Sequence, residues 1–232
     1  MAFKKGLPMR GLLSTAILLI TIMTGCGGSG DGDETVSPTV STMRIACVGD
    51  SITEGYGLSS PATQSYPAQL AGMLPSAAVG NFGKAGATLL EAGDRPYVQT
   101  AQFEASKAFA PTVVVIALGT NDAKDRNWVH RNGFIQDYLD LIATYRNLAS
   151  KPTVYIALPP PVFRSTQGIS NRRIRDEIHP LIRQVAAQSG VGLIDLYTPL
   201  QGKARLFPDG IHPDPEGAAI IAETVYHAVN GS

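Results

Sequence analysis

From residue 43 onward, short apolar runs alternate with segments of helical periodicity, and this alternation limits the possible folds more than any other feature of the chain. Candidate strands occupy residues 43–48, 77–82, 112–118, 153–158 and 191–196. Candidate helices occupy residues 65–74, 99–109, 133–149, 171–189 and 215–229. The runs TVVVIAL and TVYIAL are apolar on both faces, which is typical of central parallel strands covered by helices on both sides. Right-handed crossovers then predict an α/β fold, a three-layer α/β/α sandwich of about five parallel strands with ligand groups at their carboxyl ends.

The N-terminus has the pattern of an export signal. Three cations and no acid within residues 1–25 accompany an apolar run at 12–23, which is shorter than the roughly 20 residues that span a bilayer. The run ends in Met-Thr-Gly-Cys, which resembles the lipobox of bacterial lipoproteins, with Met23 where Leu is usual. The resemblance makes Cys26 the lipidation site. The alternative is a plain secretory signal with an incidental cysteine.

A short polar segment separates this signal from the rest of the chain. Residues 27–42 hold Gly, Ser, Asp, Thr and Pro with almost nothing apolar, so they cannot bury enough surface to order themselves. We therefore predict a lipoprotein signal peptide at 1–25, a lipidated tether at 26–42 and one domain at 43–232. The predicted location is exported and membrane-anchored through the lipid, at the periplasmic face or the cell surface.

Charge and cysteine content argue against two kinds of function. Nineteen Lys and Arg residues balance 19 Asp and Glu residues, so the chain has no basic field to neutralise nucleic-acid phosphates. The two cysteines, Cys26 and Cys47, are too few for a disulfide scaffold or a four-thiolate metal site. We predict no nucleic-acid partner.

The first candidate strand runs directly into Gly49-Asp50-Ser51. A serine just past a strand end, after a glycine that permits a sharp bend, can expose its hydroxyl at the sheet edge while a following helix directs N–H groups at it. Ser51 is therefore a candidate nucleophile. For an isolated serine, a helix N-cap is the alternative interpretation.

A possible base for this serine lies near the C-terminus, in Phe-Pro-Asp-Gly-Ile-His-Pro. A nucleophilic serine needs a base, and the base needs an acceptor for its other ring N–H. Asp209 and His212 can supply both, because side chains at i and i+3 face the same way. Metal binding by this pair would need a third donor, and the nearby Asp214 and Glu216 fit no known metal spacing. The other histidines are expected to be surface or packing residues: His130, His179 and His227.

Two loops between these ends can supply hydrogen-bond donors. Residues 81–88 (NFGKAGAT) follow the second candidate strand, and residues 119–122 (GTND) follow the third. A glycine N–H or an asparagine amide can stabilise an oxyanion during acyl transfer. Ordinary turn chemistry is the alternative for both loops.

Together these blocks resemble the SGNH hydrolases, also called the GDSL esterase and lipase family. GDS at 49–51, the Gly86 loop, GTND at 119–122 and DGIH at 209–212 follow the family order across nearly the whole domain. The resemblance implies a flavodoxin-like fold and no cofactor or metal. It also implies a site in which Ser51 is the nucleophile, His212 the base and Asp209 its orienting acid, with an oxyanion hole from the N–H groups of Ser51 and Gly86 and the Asn121 side chain.

Two other enzyme classes fit the sequence less well. No G-x-S-x-G surrounds Ser51, which disfavours an α/β-hydrolase. A dinucleotide fingerprint is disfavoured because Ser60 stands at its third glycine position.

Within the SGNH family, several segments are most similar in sequence to carbohydrate O-acetylesterases, including those that act on O-acetylated sialic acids. The segments are NFGKAGATLL, GDRPY, GTNDAKDRNW and LPPPVF. Trp128, the only tryptophan, follows the polar residues 124–127, which suits a sugar; the alternative is that Trp128 lies in the core.

The sequence thus predicts a serine esterase for small acyl groups, with O-acetylated carbohydrates as substrates. A lysophospholipase, thioesterase or arylesterase of the same family is the alternative. The non-enzymatic alternative is a lipid-anchored carbohydrate-binding protein that does not hydrolyse esters.

Overall fold

The computed structural model describes residues 43–231. In this part of the chain five parallel strands form one sheet, in the order β2-β1-β3-β4-β5. The strands are β1 Arg44–Gly49, β2 Ala78–Gly83, β3 Val113–Ala117, β4 Thr153–Leu158 and β5 Gly192–Asp195. All five predicted strands are confirmed to within a residue at each end.

The helices flank this sheet on both faces. They are α1 Ser51–Glu54, α2 Pro61–Gln64, α3 Tyr66–Met73, α4 Ala101–Ala108, α5 Asp125–Trp128, α6 Phe134–Arg146, α7 Asn171–Arg173, α8 His179–Ser189 and α9 Pro215–Asn230. The predicted helices are present, although the one at 171–189 is divided. A π-helical turn at Ile174–Ile178 separates α7 from α8. Pro180 has no N–H to donate to the carbonyl of residue 176, which interrupts the α-helical hydrogen bonds there.

Each strand contributes to two apolar layers. Ala46 and Val48 of β1 pack in the layer formed with α4, α6 and α8. Ile45 and Cys47 of the same strand pack in the layer formed with α3 and α9. This alternation is the period of two expected for a strand that is buried on both faces. The three-layer α/β/α sandwich is therefore confirmed.

The strand order positions the functional loops. Because β2 and β3 lie on either side of β1, the loops that leave the carboxyl ends of these three strands meet at one edge of the sheet. In parallel sheets, ligands bind in the crevice where the strand order reverses.

The N-terminal predictions lie outside the described residues, namely the signal peptide at 1–25, the lipidation site Cys26 and the tether at 26–42. Within residues 43–231, no helix has the length and apolar character needed to cross a membrane.

Candidate active site

Ser51 is placed by a sharp turn between β1 and α1. Gly49 permits this turn, because a Cβ at that position would lie 2.1 Å from Oγ1 of Thr53 and 2.8 Å from the Ala117 carbonyl oxygen. Asp50 caps α1 by accepting a hydrogen bond from the Ile52 N–H at 2.9 Å. Asp50, rather than Ser51, is thus the helix cap, and the Ser51 hydroxyl is left for other contacts.

The Ser51 hydroxyl contacts the histidine predicted from the C-terminal motif. Nε2 of His212 lies 2.9 Å from Oγ of Ser51, although the two residues are 161 positions apart in the chain. Nδ1 of His212 lies 2.6 Å from Oδ2 of Asp209. The structure therefore brings the three residues into one continuous chain of hydrogen bonds.

Asp209 is held by the backbone of its own loop. Its Oδ1 accepts hydrogen bonds from the N–H groups of Ile211 at 2.9 Å and His212 at 2.8 Å. Partial burial raises the pKa of the Asp209 carboxyl, but the hydrogen bonds from the His212 ring and these N–H groups outweigh it and hold the pKa below its usual value. Asp209 is therefore kept as an anion that faces the imidazole.

The Gly86 loop is a tight turn with a spare donor. The Ala87 N–H donates to the Lys84 carbonyl at 3.0 Å, and Gly86 has φ +80°, as required of the third residue of a type II turn. The Ala85 carbonyl accepts from Nη1 of Arg95 at 2.7 Å. No described residue accepts a hydrogen bond from the N–H of Gly86 or of Ser51. The loop is therefore a tight turn that also leaves the Gly86 N–H available to a ligand.

Asn121 begins a short 3-10 turn, Asn121–Ala123, after β3. Its side-chain Nδ2 lies 3.5 Å from Oδ2 of Asp50. Its backbone carbonyl accepts a hydrogen bond from Nδ2 of Asn127 at 2.9 Å. The side-chain amide therefore makes one long contact and keeps a second N–H for a ligand.

Two buried carboxylates lie at the loops that carry Ser51, Gly86 and Asn121. Asp122 accepts hydrogen bonds from the N–H groups of Leu89 at 3.0 Å and Leu90 at 2.8 Å, which ties the loop after β3 to the loop after β2. Burial raises the pKa of Asp122 to about 7 and that of Asp50 to about 6, despite the hydrogen bonds that oppose the shifts.

All five residues proposed for catalysis line one open cavity of about 440 Å³. They are Ser51, Gly86, Asn121, Asp209 and His212. The same cavity is also lined by residues for which the sequence predicted no individual role, namely Tyr56, Ala85, Arg164, Thr166 and Ile211. Tyr56 is 57% exposed, and its ring centroid lies 4.7 Å from that of His212. Its only sequence signal is its position, five residues after Ser51.

The prediction of a sugar platform at Trp128 is wrong. Trp128 is 5% exposed, packs edge-on against Phe134 at 5.8 Å and donates its indole N–H to Glu177 at 2.7 Å. The alternative of a core position therefore holds, because the indole offers no free face to a ligand. Tyr56 is the exposed aromatic ring at the cavity.

Among the residues that the structure describes, none joins Asp209 and His212 as a third metal ligand. Asp214 caps α9 by accepting from the Gly217 N–H, and Glu216 pairs with Arg205 at 2.6 Å. Within residues 43–231, no three His, Cys, Asp or Glu side chains are grouped as metal ligands.

The remaining histidines are surface or packing residues, as predicted. His179 is buried with Nε2 3.0 Å from the Pro159 carbonyl oxygen, whereas His130 and His227 lie at or near the surface.

Comparison with known proteins agrees with the sequence resemblance to the GDSL esterase and lipase family. Residues 47–220 match the model of the GDSL-like lipase/acylhydrolase family. An acetylxylan esterase of Xylanibacter ruminicola is 37% identical over 212 residues, which cover 83% of this chain and 44% of that protein. The chain therefore spans less than half the length of this relative.

Solved structures share the fold at lower identity. A carbohydrate acetylesterase family member from Sinorhizobium meliloti is 23% identical, with 82% of this chain and 98% of that chain covered and a TM-score of 0.66. A catalytic mutant of an acetylxylan esterase from Geobacillus stearothermophilus is 20% identical, with 82% and 94% covered and a TM-score of 0.65. The aryl esterase of M. smegmatis is 19% identical, with 82% and 99% covered and a TM-score of 0.64.

Proposed function

Because the chain belongs to the GDSL-like lipase/acylhydrolase family, we propose that it hydrolyses carboxylic esters of small acyl groups through Ser51, His212 and Asp209. Family membership and the acetylxylan esterase relative support a carboxylic ester hydrolase. The observation that carries the proposal is the pair of short contacts, 2.9 Å and 2.6 Å, that joins Ser51 to His212 and His212 to Asp209.

The first step is acyl transfer to Ser51. Nε2 of His212 accepts the hydroxyl proton as Oγ attacks the ester carbonyl carbon. Asp209 accepts the Nδ1–H, which selects the tautomer with a free Nε2 lone pair and stabilises the imidazolium that forms. His212 then gives the proton to the leaving alcohol oxygen, and the acyl group remains on Ser51.

The second step reverses the roles with water. His212 removes a proton from water, water attacks the acyl-enzyme carbonyl, and the acid leaves as Ser51 regains its proton. In both steps the negative oxygen accepts hydrogen bonds from the N–H groups of Ser51 and Gly86 and from Nδ2 of Asn121. Such preorganised donors commonly contribute about 10²- to 10³-fold each to kcat.

We propose acetyl groups on carbohydrates as the natural esters. The residues that line the cavity beside Ser51 are mostly small or polar, among them Ala85, Gly86 and Thr166, which favours a compact acyl group. Tyr56 supplies an exposed ring on which a pyranose can stack. The relative from Xylanibacter ruminicola is named for an acetylated carbohydrate substrate.

A second candidate, a hydrolase of longer acyl esters, is favoured by one observation. A cleft of about 470 Å³ shares Tyr56, Asp209 and His212 with the catalytic cavity. Its other lining includes Leu58 and three prolines, at positions 208, 213 and 215. An acyl chain that reached this cleft would gain about 0.8 kcal/mol, roughly fourfold in kcat/KM, for each methylene buried.

The esterase proposal is tested by Ser51→Ala on p-nitrophenyl acetate. The variant removes only the attacking oxygen, so we expect hydrolysis to be abolished while the circular dichroism spectrum and Tm stay close to those of the wild type. Ser189→Ala, at the end of α8, is the matched control with full activity. Wild-type protein that fails to cleave this ester would favour the carbohydrate-binding alternative, and an active Ser51→Ala variant would reject Ser51 as the nucleophile.

An acyl-length series separates the two enzymatic candidates. For an acetylesterase, kcat/KM falls from acetyl to butyryl to octanoyl esters of the same alcohol. A rise along the series would assign the apolar cleft to the acyl chain and replace the acetylesterase proposal with that of a longer-chain hydrolase.

We further propose that the protein is exported and held at a membrane by a lipid on Cys26. The support is the sequence pattern at residues 1–26, and the tether at 26–42 would separate the anchor from the catalytic domain.

A further inference from the structure

A third cleft, of about 290 Å³, opens beside the oxyanion loop. It is lined by Ala85, Gly86, Asp94, Arg95, Lys124 and Arg126, and we call it the basic cleft. Ala85 and Gly86 also line the catalytic cavity. The two cavities therefore share a wall, and a ligand group in the basic cleft lies next to the acyl group that Ser51 attacks.

The side chains around this cleft carry more positive than negative charge. Arg95, Lys124 and Arg126 contribute three cations, and Asp94 is the only carboxylate among the lining residues. Asp94 is already engaged, since it accepts from Nε of Arg126 at 2.6 Å and from Nδ2 of Asn127 at 2.9 Å. The pair of Arg126 and Asp94 is close to neutral, so Arg95 and Lys124 supply the excess charge.

Arg95 has donors to spare. Its Nη1 donates to the Ala85 carbonyl at 2.7 Å, and this is the one hydrogen bond that its guanidinium makes with the described residues. Asp and Glu residues of this part of the chain all lie beyond ion-pair distance of it. A planar guanidinium with free N–H groups is the side chain best suited to bind a carboxylate.

Lys124 is a cation held in a restricted place. Its side chain is 13% exposed, and its Nζ lies 3.8 Å from Oδ2 of Asp94. Burial lowers the pKa of Lys124, as do the charges of Arg126 and Arg95, and together they outweigh the carboxylates of Asp94 and Asp50, which raise it. The ammonium is therefore insufficiently compensated by the protein, and a bound anion would stabilise its charged form.

We propose that the basic cleft binds the carboxylate of an acidic sugar, so that the enzyme prefers acetyl esters carried by uronic-acid-type residues over those of neutral sugars. This inference rests on the proposed esterase function of the adjacent cavity. Arg95 and Lys124 would hold the carboxylate, while the ester carbonyl lies across the shared wall at Gly86.

The test compares two substrates that differ at one carbon. Mono-O-acetylated methyl glucuronoside and methyl glucoside, acetylated at the same hydroxyl, differ only in carboxylate against hydroxymethyl. We expect kcat/KM to be about tenfold higher for the acidic substrate at low ionic strength, the effect of one charge-assisted hydrogen bond. Added salt should reduce this ratio toward one, because the cleft is open to solvent.

Variants of the cleft should move the ratio in both directions. Lys124→Gln removes one of the two cations that supply the excess charge and lowers the ratio of acidic to neutral kcat/KM. Asp94→Asn removes the only lining carboxylate and raises it. Lys107→Gln on α4, which pairs with Glu104 outside the cleft, is the matched control and keeps the wild-type ratio. The ratio cancels any loss of activity that a variant causes on both substrates.

Two results overturn the inference while leaving the esterase intact: equal kcat/KM for the two substrates, or a preference that none of the cleft variants changes. If neither sugar acetate is cleaved, the proposal that acetylated carbohydrates are the substrates fails, and calorimetry on Ser51→Ala tests the basic cleft separately. Tighter binding of methyl glucuronoside than methyl glucoside, lost on adding Lys124→Gln, would support the cleft. Equal binding of the two would overturn it.

Discussion

At the scale of single residues, Asp209 combines two tasks with two oxygens. Oδ1 accepts from two backbone N–H groups of its own loop, and Oδ2 faces Nδ1 of His212. The loop therefore orients the carboxylate, and the carboxylate orients the imidazole. An amide at this position could keep one of these contacts only by losing another, because its nitrogen cannot accept a hydrogen bond.

Asp209→Asn should therefore reduce kcat/KM for p-nitrophenyl acetate by about 10²- to 10⁴-fold, through the wrong imidazole tautomer. Asp140→Asn, the same change on the exposed side of α6, is the control and should retain activity. Activity of Asp209→Asn close to that of the wild type would mean that another group orients His212.

Trp128 has a structural role, so its replacement should affect stability rather than substrate choice. Trp128→Ala should lower the free energy of unfolding by about 3–5 kcal/mol, measured by urea denaturation, because it opens a cavity beside Phe134. Losses in kcat/KM on an acetylated sugar and on an aryl acetate should be equal in the folded variant. A selective loss on the sugar would restore Trp128 to the binding site.

At the scale of elements, the site is made by loops that the sheet brings together. Asp122, after β3, is hydrogen-bonded to the N–H groups of Leu89 and Leu90, beyond β2. The Lys84 N–H in turn donates to the carbonyl of Gly49 at the end of β1. The proposed oxyanion donors on Gly86 and Asn121 are therefore positioned by contacts between loops rather than by either loop alone.

The Asp122 contact predicts a pH dependence of stability. Burial raises the pKa of Asp122 from 3.8 to about 7, so between these values the folded protein holds a proton that the unfolded chain has released. The stabilisation is fully present below pH 3.8 and is lost as the pH rises through 7. Asp122→Asn has no such titration. We therefore expect Tm of the wild type minus Tm of the variant to fall across this pH window, and a constant difference would contradict the shift.

At the scale of the whole molecule, we expect the proposed lipid anchor at Cys26 and the esterase activity of the domain to be independent of each other. Cys26→Ser removes the proposed lipid site and should move the protein from the membrane fraction to the soluble fraction with its esterase activity intact. Cys47→Ala is the control that should stay with the membrane, since Cys47 is buried within β1 and cannot accept a lipid. Equal membrane retention of Cys26→Ser and the wild type would reject the lipoprotein proposal.

The sequence by itself determined the order and extent of the strands and the identity of the residues that meet at Ser51. The hydrophobic period distinguishes strands from helices locally. The predicted bounds of β1 to β5 therefore agree with the observed bounds to within one residue. The division at Ile174–Ile178 was not predicted, because a period of apolar residues does not reveal where a proline interrupts helical hydrogen bonding. The family motifs supplied Gly86 and Asn121.

Only the tertiary structure decided which side chains are exposed at the site. Nothing near Trp128 in the chain reveals that Phe134 and Glu177 enclose it, and nothing near Tyr56 reveals that it lies beside His212. The basic cleft likewise joins Arg95 to cations of a different loop. Burial and electrostatic environment arise from contacts between segments remote in sequence, so local patterns identify reactive residue types but not the surface around them.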